Sequence, residues 1–235
     1  MLKFLGNGSA FNNRRDNNSA YFKHDKTLVL IDAGSTVFKN ALNKNIFADV
    51  SEVFIAITHL HMDHCGSIGQ IIMYLYYKMN IRPTVIFPQT DIINILDSSG
   101  ITRDMYNIVI TDDKYIIHNH DNEMITLKIM KSSHVDTIDS YSFLFNYLDK
   151  YRFYYSGDAK SIPETVLSDF KNKTIDVIYQ DTCGVTNQGN AHLNIEDLCL
   201  LIPKEYRNKV YCMHLDQTLE DKYIEDKGFN VAKVV

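Results

Sequence analysis

Thr58-His59-Leu60-His61-Met62-Asp63-His64 follows the apolar run Val53 to Ile57 and concentrates four metal-donor side chains within six residues. On an extended segment, residues two apart point to the same side, so His59 and His61 can grip one ion together. A helix beginning near Cys65-Gly66 puts Asp63 and His64 at its N-terminus, displaced from the first pair, where they can serve a neighbouring ion. Nitrogen ligands mixed with carboxylate suit zinc best, with manganese or iron as competitors. The bland alternative, a loop of surface histidines, does not explain why so many donors crowd the end of a buried strand.

Outward from this stretch, short apolar or β-branched runs ended by Gly, Asn or Asp read as strands at Leu2 to Leu5, Ser19 to Lys23 and Thr27 to Ile31. Downstream, Ile68 to Lys78 reads as a helix and Thr84 to Phe87 as a strand. A second helix follows over Thr90 to Asp97, with Thr90 as N-cap. Strand-like runs follow at Tyr115 to His118, Met124 to Met130, Ser140 to Tyr147 and Arg152 to Tyr155. Helices are expected near Glu164 to Phe170 and Ile195 to Leu201, and buried strands at Ile175 to Tyr179 and Lys209 to Met213. The pattern predicts an α/β protein with two packed sheets and helices outside, a four-layer αββα sandwich. No linker, low-complexity stretch or internal repeat interrupts it, so residues 1–235 are expected to form a single domain.

A formal net charge of −5 argues against broad capture of a nucleic-acid backbone, and no stable nucleic-acid partner is expected. A small anionic substrate stays open, because bound cations reverse the local field. The 4 cysteines include no CxxC pair, and the start lacks the apolar core of a signal peptide, which points to a reducing cytoplasm. No apolar run reaches the ~20 residues of a membrane helix, so no membrane partner is expected.

The arrangement resembles the metallo-β-lactamase superfamily, whose HxHxDH signature matches His59, His61, Asp63 and His64 position by position. Further family motifs lie in order along the chain. Leu28-Val29-Leu30-Ile31-Asp32-Ala33-Gly34 resembles the first, Ser132-Ser133-His134 the third, Tyr155-Ser156-Gly157-Asp158 the fourth and Tyr211-Cys212-Met213-His214 the fifth. The resemblance implies that His59, His61 and His134 bind one metal, that Asp63, His64 and His214 bind a second, and that Asp158 bridges them. Two Zn2+ per chain are thus expected, with Mn2+ as the substitute, and Asp32 should fix a ligand histidine from behind.

Asp158 stands where enzymes that hydrolyse β-lactams carry a cysteine. Gln180-Asp181-Thr182-Cys183 followed by Ala191-His192-Leu193 resembles the ribonuclease Z-like branch instead. That resemblance makes His192 the general acid for the leaving alkoxide, with Asp181 orienting it, and counts Asp63 among the catalytic residues. It also implies two metals that neutralise the phosphate and present a bridging hydroxide. Gly8-Ser9-Ala10-Phe11 and Asn17-Asn18-Ser19-Ala20 resemble the polar opening of this branch, which places Ser9, Asn18 and Ser19 in the phosphate pocket. The interval from His134 to Asp158 holds one hairpin and no transfer-RNA-binding arm.

The whole-chain pattern is most similar to the anti-Pycsar proteins of phages and bacteria. This implies hydrolysis of 3′,5′-cyclic mononucleotides such as cCMP and cUMP, and action in the cytoplasm, that of the host if a phage encodes the protein. A homodimer is expected from the resemblance to ribonuclease Z-like enzymes and from the apolar-aromatic run Ile68 to Tyr77, which has more apolar surface than one buried face requires. A ribonuclease Z-like tRNA 3′-end endonuclease is the alternative. A lactonase or thioesterase would not need Asp181 and His192, and a decayed binding module should have lost a ligand. Two patches are read as decoys: His118-Asn119-His120-Asp121 as a hairpin turn, and Gly6-Asn7-Gly8, without the third glycine of a nucleotide loop, as a tight turn.

Overall fold

The computed structural model describes residues 2–119, 124–186 and 189–235. Its first half runs β1 (Lys3–Gly6), β2 (Ser19–His24), β3 (Thr27–Ile31), α1 (Val37–Asn43), β4 (Glu52–Ala56), α2 (Met62–Cys65), α3 (Ile68–Met79), β5 (Thr84–Phe87), α4 (Asp91–Ser98) and β6 (Asn107–Ile110). The second half runs β7 (Lys114–His118), β8 (Met124–Ser132), β9 (Ser140–Tyr147), β10 (Tyr151–Tyr155), α5 (Glu164–Lys171), β11 (Val177–Asp181), α6 (Ile195–Leu201), β12 (Val210–Met213), α7 (Asp221–Asp226) and β13 (Asn230–Val231).

The strands form two sheets, in the orders β1-β2-β3-β4-β5-β6 and β13-β12-β11-β10-β9-β8-β7. Strand β3 is buried along its whole length, as a continuous apolar strand covered on both faces must be. Between the sheets, Phe22 meets Phe145 and Phe153 edge-on at 5.7 and 6.1 Å, and Phe4 meets Tyr179 at 5.5 Å. Outside the first sheet, α3 buries Ile68, Ile71, Ile72 and Leu75, the one-face spacing of an amphipathic helix. Outside the second, Val166 and Phe170 of α5 join Ile195 and Leu198 of α6 in a separate apolar cluster. The expected αββα layering is the observed one.

What positions the site is strand direction. Strands β3 to β6 are mutually parallel, as are β10 to β13, while β8 shares the direction of β10 because both pair antiparallel with β9. The carboxyl ends of β3 and β4 in one sheet, and of β8, β10, β11 and β12 in the other, therefore open toward a common edge. Crevices at such ends are where α/β sheets bind ligands.

Several expectations need correction. Strand β6 and helices α1 and α7 are absent from the sequence reading, as is β13. These elements are short, and of the seven residues of α1 only Val37 and Ala41 are buried, too few to set a period. The helix expected near Cys65-Gly66 begins earlier, at Met62, with His61 as its N-cap. Thr90 adopts αR geometry and makes no side-chain cap bond. Gly6-Asn7-Gly8 is not a tight turn: a Cβ on Gly6 would lie 2.3 Å from the Asn17 carbonyl oxygen, so the glycine permits a close approach of two backbones. Of the His118 to Asp121 patch, His118 ends β7 opposite Met124 of β8, while His120 and Asp121 lie outside the described residues.

Candidate metal centre

Asp32 and His214 sit directly after β3 and β12, and both adopt left-handed backbone, with φ of 63° and 56°. Non-glycine residues rarely take this conformation, and where they do the fold over-determines it. The reversal turns each side chain off its strand into the shared edge. Gly157, with φ of 57°, performs the same reversal just before Asp158.

Asp32 is fully buried. Its carboxylate accepts hydrogen bonds from the Thr58 backbone N–H (2.8 Å) and hydroxyl (3.0 Å) and stands 2.9 Å from His64 Nδ1. The Thr58 hydroxyl also lies 3.1 Å from His59 Nδ1. Both imidazoles are thereby turned so that Nε2 faces inward, the carboxylate–histidine arrangement that orients metal ligands. Thr58 is a residue that the sequence reading quoted but gave no task; a hydroxyl immediately before the signature was its only trace.

Two groups of donors result, and they share Asp158. His59, His61, His134 and Asp158 form one, and Asp63, His64, Asp158 and His214 the other, each with its ligand atoms within 4.8 Å of one another. In the first, His59 Nε2 lies 3.0 Å from His61 Nδ1 and 3.7 Å from Asp158 Oδ2, and His134 Nε2 lies 3.6 Å from the same oxygen. In the second, His64 Nε2 is 3.2 Å from Asp63 Oδ2 and 3.1 Å from Asp158 Oδ1, while His214 Nε2 is 3.3 and 3.4 Å from those oxygens. Ligands bonded at ~2.0–2.1 Å around a tetrahedral ion stand about 3.3 Å apart.

His64 Nε2, His134 Nε2 and Asp158 Oδ1 are buried and find no hydrogen-bond partner among the described residues, although His64 Nε2 and Asp158 Oδ1 are close neighbours. Close but unaligned donors gathered into two such groups fit cations better than a hydrogen-bond network. A third group, Asp158, Asp181, His192 and His214, adjoins these two.

The electrostatics agree with that fit. Burial opposes ionisation of Asp63 and Asp158, yet the surrounding histidines hold both well below the usual carboxylate range. Burial also opposes charge on His64 and His214, but the carboxylates, Asp158 first, overcome it and raise His214 to about 10. The cluster thus demands positive charge. Burial pushes His59 and His134 down toward the neutral imidazole that ligates metals. His134 Nδ1 lies 3.1 Å from the Ala191 carbonyl, so the segment carrying His192 also aims a candidate ligand.

His192 is part-exposed at the edge of the cluster, with Nδ1 2.6 Å from Asp181 Oδ2. The same carboxylate oxygen accepts the Ala159 N–H at 2.9 Å, and the Asp181 backbone N–H donates to Ser156 Oγ at 2.8 Å. Burial disfavours charge on His192, but Asp181 outweighs it and raises the imidazole above its ordinary value. His214 Nδ1 stands 3.4 Å from Asp181 Oδ1, without hydrogen-bond alignment.

Asp63, His61, His134, Asp158, His192 and His214 open onto a cleft of about 910 Å³. Ser9 lines it. Asn18 and Ser19 do not: Asn18 Nδ2 donates to the Tyr155 hydroxyl at 2.7 Å, and the Ser19 hydroxyl donates to the carbonyls of Ile31 and Asp32. Both are buried braces beneath the site: Asn18 reaches across to Tyr155 in the other sheet, while Ser19 ties the start of β2 to the end of the neighbouring β3. The cleft walls also include Phe11, Met62, Val135 and Val185, to which the sequence reading assigned no function.

Gly34 sits against the signature itself, since a Cβ there would lie 1.9 Å from the Asp63 carbonyl oxygen. Gly34→Ala should force the two backbones apart and cost about 1–3 kcal/mol. Urea unfolding should show a lower midpoint at unchanged slope, and metal analysis should show less metal per chain.

A family model described as Anti-Pycsar protein Apyc1 matches residues 1–233. The Anti-Pycsar protein Apyc1 of Paenibacillus harenae is 29% identical over 228 residues, covering 93% of this chain and 91% of that protein. The protein of the same name from Bacillus phage BSP38 is 26% identical over 238 residues, covering 94% and 91%. Among solved structures, the metallo-β-lactamase fold protein YhfI from Bacillus subtilis superposes with a TM-score of 0.76 at 15% identity, over 99% of this chain and 95% of that one. The αββα sandwich is therefore the metallo-β-lactamase fold.

Proposed function

The chain belongs to the anti-Pycsar protein Apyc1 family, and from that premise we propose that it is a metal-dependent phosphodiesterase that hydrolyses small 3′,5′-cyclic mononucleotides, such as cCMP and cUMP, and so removes a Pycsar antiviral signal. The observation that carries this reading is the His192–Asp181 pair, 2.6 Å apart, in the same cleft as the two donor groups. His59, His61, His134 and Asp158 would hold one divalent cation, and Asp63, His64, His214 and Asp158 a second, zinc or manganese in either case. Such cations supply Lewis acidity and offset the charge of the phosphate.

The remaining work falls to the chain. Asp181 takes the Nδ1–H of His192, which leaves Nε2 as the nitrogen that carries a transferable proton. As the oxygen of a water molecule bonds to phosphorus and that water gives up one proton to solvent, one ester P–O bond of the ring breaks, the His192 proton passes to the departing ribose oxygen, and the imidazole is reprotonated from solvent. The product is a linear nucleoside monophosphate. Asp63, held as a carboxylate, is an acceptor able to orient the attacking water, and the Ser9 hydroxyl is available to the phosphate.

Between His134 and Asp158 the chain makes only the β9–β10 hairpin, in which Tyr147 pairs with Tyr151. No arm for transfer RNA rises there, and the net charge of −5 disfavours a polyanion. The test is purification with metal analysis, then a screen of 3′,5′-cyclic mononucleotides, cyclic dinucleotides, bis(p-nitrophenyl) phosphate and precursor tRNA. Turnover of cyclic mononucleotides is expected; cleavage of precursor tRNA with none of any cyclic nucleotide rejects the reading.

Among the described residues no helix is long and apolar enough to cross a membrane, and on this reading the protein acts in the cytoplasm, the host's if a phage encodes it. It works as a homodimer. Helix α3 supports this, because it leaves Met73 and Tyr77 exposed one turn apart beyond its buried face. Sedimentation at micromolar concentration should give twice the chain mass, and Tyr77→Glu should shift it toward monomer. A monomer from the unsubstituted protein removes the dimer.

A further inference from the structure

Phe11 is 90% exposed at the mouth of the cleft that holds the donor cluster. An aromatic ring given to water in this way is ordinarily a mobile surface residue of no consequence. Here the backbone beneath it is fixed. Ser9 N–H and Asn12 Nδ2 both donate to the Leu215 carbonyl, at 3.0 and 2.8 Å, and Leu215 directly follows His214. Asn12 N–H donates to the Ser9 carbonyl, and Gln217 Nε2 donates to the carbonyl of Phe11 itself at 2.6 Å. The ring is thus carried on a short, hydrogen-bonded loop tied to a residue adjoining the candidate metal ligands, and the place of its backbone on the cleft is held by those bonds.

The chemistry of the cleft says what such a ring awaits. One end is a cluster of imidazoles and carboxylates that suits a phosphate through bound cations. The same cleft is also lined by Met62, Val135 and Val185, with Met62 exposed. A ligand that suits both the donor cluster and this apolar lining has a phosphate joined to a flat, apolar-faced group.

Resting on the phosphodiesterase reading above, we propose that Phe11 is the residue on which the nucleobase of the substrate stacks. Every base offers a π-face, so a phenyl ring with no donor or acceptor binds all of them and selects none. Phe11 therefore governs affinity for cyclic nucleotides as a class, while preference among bases is set elsewhere.

The test compares Phe11→Ala and Phe11→Trp on cCMP, on cAMP and on ribose 3′,5′-cyclic phosphate, which has the same reacting ring and no base. Loss of one aromatic stacking partner corresponds to about 5- to 150-fold in binding. Phe11→Ala should raise KM in that range for both nucleotides, leave kcat within about twofold, and leave the base-free substrate unchanged. Phe11→Trp should restore the KM values. An unchanged KM overturns the assignment. So does an equal rise on the base-free substrate, which would make the ring a support for the loop, and so does conversion to a monomer by Phe11→Ala, which would make it a contact between copies. Failure of the unsubstituted protein to cleave any cyclic nucleotide overturns the phosphodiesterase reading and this assignment with it. Activity that is indifferent to Phe11 overturns this assignment alone.

Discussion

Asp158→Ala should reduce turnover to background while the protein stays folded. Asp158 is the only residue common to both donor groups, with Oδ1 among the ligand atoms of one and Oδ2 among those of the other. Without it, two cations held a few ångströms apart would face each other with no intervening negative charge, so at least one should be lost. The expected fall in kcat is about 10³-fold or more, equivalent to several kcal/mol of charge stabilisation. His59→Ala should act in the same direction, since it empties one corner of a single group. The fold should survive both changes, because the aromatic core between the sheets and the helical clusters outside them contain no ligand. Metal content per chain, far-UV circular dichroism and turnover check this together. Near-normal turnover in either variant removes the dinuclear mechanism.

His192→Ala should retain metal and lose about 10²- to 10⁴-fold on cyclic nucleotides, the range that a positioned general acid supplies. The departing ribose oxygen is a poor leaving group and needs a proton; a nitrophenolate does not. On bis(p-nitrophenyl) phosphate the loss should therefore be far smaller, and that contrast separates an acid from a residue that merely positions phosphate. Equal losses on both substrates would reject the acid role. Because Asp181 raises the His192 pKa, the protonated, competent form should persist above the ordinary histidine range. Activity on cyclic nucleotides should then fall as pH rises through that raised pKa. Asp181→Asn should move this limb to lower pH and weaken the same leaving-group contrast, as read from kcat/KM against pH.

Four of the donor residues, His59, His61, Asp63 and His64, were legible in the chain because their spacing is local chemistry, whereas His134, Asp158 and His214 were picked out only by resemblance to family motifs. His59 and His61 must be two apart to share a side, and Asp63 and His64 follow where backbone changes from strand to helix. The layered fold was legible as well, since buried parallel strands read as unbroken apolar runs and α3 repeats at helical spacing. Weak elements such as α1 and β13 were not, because too few of their residues are buried to mark a period. The general-acid candidate was half legible: Asp181 and His192 stood out as a pair of types, but nothing local says that eleven positions of chain return the imidazole to the carboxylate.

By itself, the sequence determined which side chains were available for metal, their order along the chain, and the alternation of strand and helix that delivers them to strand ends. Tertiary structure alone decided which of the polar residues near the N-terminus face the cleft. Ser9 does, whereas Asn18 and Ser19 turn inward to brace Tyr155 and the end of β3. It also decided that Thr58 links Asp32 to two histidines, and that Phe11 stands exposed on the cleft that the donor groups line. The physical reason is range. Spacing along a strand or helix sets direction over a few residues, while the distance between groups on different strand ends depends on sheet register, on the left-handed turns at Asp32 and His214, and on the packing of one sheet against the other.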